Sequence, residues 1–179
     1  MSKKFDKQMV HGKNVASRSF SEVFRSMQLL NICVLYYDFD FDKEMLKAYN
    51  DKLKSYNNEC LDSREAFFSE EARILEKYQF SCEESAKEIT TTSKMNMIGF
   101  RPKTKTDWYI ALANGTDAIE SCLVLFLHEF INVVKPSASD VALWWRCMKR
   151  YAEECYSNGM KDEFVVKYFK DQIDLDITW

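Results

Sequence analysis

From Ser19 onward, apolar residues recur every three or four positions. Phe20, Val23 with Phe24, Met27, Leu30 and Val34 form one such series and predict a helix over about 20–36. Within it, the stretch 29–37 is rich in β-branched and aromatic residues, so a strand is the alternative there. Residues 37–42, Tyr-Asp-Phe-Asp-Phe-Asp, then alternate aromatic and acid. Asp42 supplies an N-cap, and Phe41 against Leu46 supplies a hydrophobic staple for the next helix. That helix, 43–60, carries Leu46, Tyr49, Leu53, Tyr56 and Cys60 as a stripe over four turns.

Asp62 with Glu65 and Ser81 with Glu84 read as capping boxes that open a third and a fourth helix. The third turns Phe67, Ile74, Leu75 and Tyr78 inward, and the fourth Ala86 and Ile89. Its end falls near Thr90-Thr-Thr-Ser93, where β-branching lowers helix propensity. Residues 99–106 read as a loop, after which Thr106 caps a short segment that Asn114-Gly115 stops. Helix 117–135 is the most apolar, with Ile119, Cys122, Leu123, Phe126, Leu127 and Phe130 covering most of its circumference. Such a helix belongs at the centre of a bundle. Lys135-Pro136 ends it, Ser137 with Asp140 starts another to about 157, and 161–172 form a last short helix. The tail, 173–179, alternates apolar and polar residues and suits an extended strand.

The fold class expected is therefore mainly α: a single-domain bundle of about six to eight helices over 19–179, with at most a two- or three-strand element. Only four glycines and two prolines are present, too few for the tight turns of an all-β fold. The longest apolar run, Cys122 to Leu127, is far short of the roughly 20 residues that cross a bilayer. No apolar stretch follows the first lysines, so a secretory signal is not expected and a cytoplasmic location is. The six cysteines contain no CxxC pair and read as small hydrophobes without disulfides.

Charge adds one feature that periodicity does not. Residues 1–20 carry a net +4, which leaves −7 for the remainder. Residues 1–18 are thus expected as a basic flexible arm on an acidic body, able to reach an anionic partner.

Motifs for chemistry fail on their spacing. His128-Glu129-Phe-Ile-Asn132 has Asn where a zincin helix needs its second histidine, and the only other histidine is His11. Asp38, Asp40 and Asp42 open like a calcium loop, but Lys43 and Tyr49 occupy the places of its glycine and glutamate. Cys122 and His128 point about 120° apart on one helix, and phosphate-cradling and nucleophile-elbow glycine motifs are missing. No catalytic, metal or cofactor residue is therefore assigned, and a non-enzymatic protein is favoured.

Two segments stand out as binding candidates. Lys94, Arg101, Lys103 and Lys105 form an acid-free run flanked by Phe100 and Trp108, a composition suited to single-stranded nucleic acid. Arg146, Lys149 and Arg150 lie beside Trp144 and Trp145, one of which is expected to be partly exposed, with Glu153 and Glu154 placed to neutralise the cations. The leading expectation is a regulator or inhibitor that occupies a partner protein's surface, with self-association also open. Lys outnumbers Arg 18 to 7, a bias of AT-rich genomes that fits a bacteriophage or mobile-element factor countering host defence. The alternative is a nucleic-acid-binding accessory protein that uses the arm and residues 94–105.

Overall fold

The computed structural model describes residues 3–55, 63–93, 104–156, 167–168 and 173. Six helices account for nearly all of them: α1 (Lys3–Asp38), α2 (Lys43–Ser55), α3 (Arg64–Tyr78), α4 (Cys82–Ser93), α5 (Lys105–Val134) and α6 (Ala138–Tyr156). Among the described residues there is no strand, so the mainly-α bundle expected from the sequence stands. Residues 29–37 lie within α1, not in a strand. Leu29, Leu30, Ile32, Cys33, Val34 and Leu35 are all buried, because α2, α5 and α6 together surround this part of α1. A segment apolar on every side loses the periodicity that separates helix from strand. Of the tail, only Ile173 is described, and it is buried. The remainder of 173–179 and most of the helix expected at 161–172 lie outside the described residues.

Helix α5 is the central element. It touches α1, α2, α3 and α4, and residues 122–127 are buried on all sides. It runs parallel to α1 over their length. His11 meets Asp107, Gly12 meets Ile110, Phe24 packs on Phe126 at 6.0 Å and Phe39 on Phe130 at 5.0 Å. Helix α6 closes the bundle against α1, α3 and α4.

Two boundaries differ from expectation for physical reasons. Residues 3–18, expected as a flexible arm, are the first turns of α1. Their docking partner is 96 residues away in the chain, where His11 bonds Asp107, and Val15 is buried against the bundle. The segment 107–114 and the helix 117–135 are one helix, because Asn114-Gly115 does not stop α5. Asn114 Nδ2 donates back to the Ile110 carbonyl at 2.7 Å, Gly115 is buried, and Thr116 lies 3.5 Å from Thr90 of α4. Tertiary packing thus holds a helix where local propensity is weakest.

Two of the expected caps stand as read. Glu84 N–H donates to Ser81 Oγ, and Ser137 and Asp140 bond reciprocally. Helix α3 starts one residue later than expected, on Ser63, and α5 two residues earlier, on Thr104. Asp42 caps α2 through Met45 N–H at 2.8 Å, and Phe41 is buried beside Tyr49. Lys135, in the left-handed region at φ 53°, ends α5 before Pro136.

A chain of polar groups runs through the core. Trp144 Nε1 donates to Asn31 Oδ1 at 2.9 Å, Asn31 Nδ2 donates to Tyr49 Oη at 3.1 Å, and Tyr49 Oη donates to the Phe126 carbonyl at 2.9 Å. Asn31 and Trp144 are wholly buried, and Tyr49 nearly so, and the chain joins α6, α1, α2 and α5. Gln28 donates to Asn50 alongside it. Each group is satisfied only while all four helices keep their register, so these bonds specify the packing as well as stabilise it. Asn31→Ala strands the indole N–H and removes a donor from Tyr49. It is expected to cost about 2–4 kcal/mol, read as a lowered midpoint in urea unfolding with the slope unchanged.

Candidate interaction surface

The tryptophan cluster of α6 belongs to the core. Trp144 is fully buried and stacks on Phe130, while Trp145 is 7% exposed. Trp145 donates from Nε1 to Glu88 Oε2 at 3.2 Å, and Lys149 Nζ lies over its ring and 2.8 Å from Glu88 Oε1. Neither tryptophan is therefore the partly exposed one expected. The cations are also paired differently. Arg150 makes two bonds to Asp38, at 2.9 and 3.0 Å, and Glu154 instead takes Lys167 and Tyr168. Arg146 is exposed, with no carboxylate partner among the described residues.

The other sequence candidates fall at or beside the start of α5. Lys105 is exposed on the first turn. Lys94, Phe100, Arg101 and Lys103 lie outside the described residues, as does the side chain of Trp108.

His128 and Glu129 point to different helices, as residues 100° apart must. His128 Nδ1 lies 2.9 Å from Glu70 Oε1 of α3, and its Nε2 lies 3.1 Å from Asn132. Burial pushes the Glu70 carboxyl up, but bonds from Arg73 and His128 outweigh it and hold its pKa at about 2. Glu129 is buried on the α2 side, its Oε1 3.1 Å from Lys52 Nζ. The acid triplet of 38–42 is divided too, Asp38 serving Arg150 and Asp42 capping α2. Cys33, Cys82, Cys122, Cys147 and Cys155 are buried free thiols, and burial pushes the pKa values of the first four upward, which suits packing and not attack.

What the fold brings together is the first half of α1 and the start of α5. Between them lies a cleft of about 860 Å³ whose walls include Lys7, His11, Gly12, Thr104, Asp107 and Ile110. His11 Nε2 sits 2.9 Å from Asp107 Oδ1. Burial opposes ionisation of Asp107, but bonds from His11 and Thr104 prevail and hold its carboxyl below the usual range. The first half of α1 and Lys105, at the start of α5, therefore lie at the same end of the molecule.

The far side of α1 faces solvent. Met9 is 50% and Val10 58% exposed. Val10 stands one turn from both Lys7 and Lys13, and Met9 one turn from Lys13. Lys7, Asn14, Arg18, Ser21 and Arg25 follow at helical spacing along one border of this face, all exposed, over about 27 Å. Among the described residues no carboxylate pairs with Lys7, Lys13, Arg18 or Arg25. Met9, Val10 and Arg25 were not singled out from the sequence, although residues 7–21 contain no acid and place lysines one turn either side of Val10.

Among the described residues, no helix is long and apolar enough to cross a membrane. No protein-family model, curated protein or solved structure matches the chain.

A second cluster, at the junction of α3, α4 and α5, carries a pH dependence. Burial, then the carboxylates of Glu71, Glu83 and Asp117, raise the Glu120 pKa from 4.5 to about 7, and Glu120 and Glu71 share a hydrogen bond. Between these values the folded chain keeps a proton that the unfolded chain has lost. Stability therefore falls as pH rises through that window and levels off above it. Glu120→Gln is expected to flatten this slope, matching the parent at pH 4 and melting several degrees higher at pH 8 in thermal scans.

Proposed function

We propose that this chain is a non-enzymatic binding protein, a regulator or inhibitor that acts by occupying the surface of a partner protein through the outward face of α1. The observation that carries the reading is the pair Met9 and Val10, exposed among unpaired cations on a helix whose opposite side is docked on α5. An apolar centre with a polar rim is the arrangement of a protein interface, and methionine is enriched in such centres. A backbone already held in a packed helix also loses little freedom on binding, which favours affinity.

A nucleic-acid-binding accessory role is the second reading, favoured by the cations of α1 and Lys105 at the same end of the molecule. The aliphatic centre weighs against it, because Met9 and Val10 gain little beside phosphates.

The test is capture from host lysate, with and without nuclease treatment, by the immobilised full chain. The parent is expected to retain a protein partner that Met9→Asp with Val10→Asp loses at unchanged helical circular dichroism. Retention that disappears with nuclease treatment supports the second reading, and no retained partner at low salt contradicts both.

A further inference from the structure

We infer that the segment seated on this surface is acidic: a stretch of the partner protein with an apolar centre and flanking carboxylates, laid along α1 from Lys7 to Arg25. The inference rests on the protein-binding reading and names the chemistry of what is bound.

Three observations select that occupant. The outward face carries Lys7, Arg18 and Arg25 on one border and Lys13 on the other, none in an ion pair among the described residues. Among those residues the one acid beside it is half-buried Glu22, a turn from Arg18 and Arg25. Elsewhere some described cations are taken, Arg150 by Asp38, Lys149 by Glu88, Arg73 by Glu70 and Lys87 by Glu83. Exposed Lys43, Lys47, Lys105, Lys135 and Arg146 carry no ion pair among the described residues, but they are spread over α2, the two ends of α5 and α6. What sets α1 apart is that four cations unpaired among the described residues share one helix face, in a chain whose net charge is −3. Second, the middle of the face is uncharged, with Val10 and Ser17, and the short Asn14 and Ser21 interrupt its cationic border, leaving room for a backbone to approach. Third, Met9, Val10 and Phe20 are exposed beside it, so the matching segment must offer apolar side chains as well as acids. Cations border apolar groups here, and complementary potential calls for the same pattern in the opposite sign.

A second copy of the chain is a poor occupant. A two-fold pairing of this face with itself sets the Lys7, Lys13, Arg18 and Arg25 cations of one copy against those of the other, and like charges at an interface are repulsive.

A photo-crosslinking amino acid placed at Val10, at Ser17 or, as a control on α3, at exposed Leu75 tests this in the full chain. Each protein is irradiated in host lysate with and without nuclease, and crosslinked peptides are sequenced by mass spectrometry. Positions 10 and 17 are expected to reach one partner segment with Asp and Glu in excess. Lys7→Glu with Arg18→Glu should cut that yield on the order of tenfold at unchanged circular dichroism. Protein crosslinks from position 75 alone would overturn this surface and leave protein binding standing. A neutral or basic segment, or a yield indifferent to the charge reversal, would overturn the acidic chemistry. Crosslinks to nucleic acid alone, or none from any position, would overturn the inference and the protein-binding reading together.

Discussion

Where two long helices lie side by side in the same direction, each residue of one has a fixed counterpart on the other. The pairings of α1 with α5 run in order from His11–Asp107 through Phe24–Phe126 to Phe39–Phe130. That alignment leaves α2, α3 and α4 to cover the remaining sides of α5, and α6 to close over α1. It also sets the ends of both helices together. The first turns of α1 thereby gain a neighbour that nothing nearby in the chain provides. At that junction Asp107 is buried one turn from the positive end of α5 and takes His11 as a partner, which makes a buried carboxylate tolerable.

Apolar burial supplies most of the driving force, but it is indifferent to small sliding of one helix on another. The polar chain from Trp144 through Asn31 and Tyr49 to the Phe126 carbonyl is not. A shift of one residue would leave an indole, an amide or a phenol unbonded in a low-dielectric interior. The same logic orders the rim. Arg150 with Asp38 and Lys149 with Glu88 tie α6 to α1 and to α4, across helices instead of along one. These commitments leave Arg146 as the one α6 cation without an ion pair among the described residues, whereas α1 gathers four such cations on one face.

Much of this was legible in the sequence. The central helix was visible because Ile119 to Phe130 is apolar around most of its circumference, and the Ser81–Glu84 and Ser137–Asp140 boxes fixed two helix starts. Less legible was whatever depended on distant neighbours. Asn114-Gly115 reads as a stop locally, yet packing on α4 carries α5 through it. Trp145 reads as half exposed on an isolated helix, yet Glu88 and Lys149 from two helices enclose it. The charge of the first 20 residues was plain. That it lies on a helix face, with Met9 and Val10 among the lysines, depends on a contact with residue 107.

The binding face exists only if residues 7–18 are a docked helix and not a loose arm. Amide hydrogen exchange followed residue by residue in the full chain addresses that directly. Slow exchange at the amides of residues 11–18, together with those of 108–116 in α5, is the predicted result. Exchange at the rate of an unstructured peptide through residue 18, with protection beginning only near Val23, would contradict it.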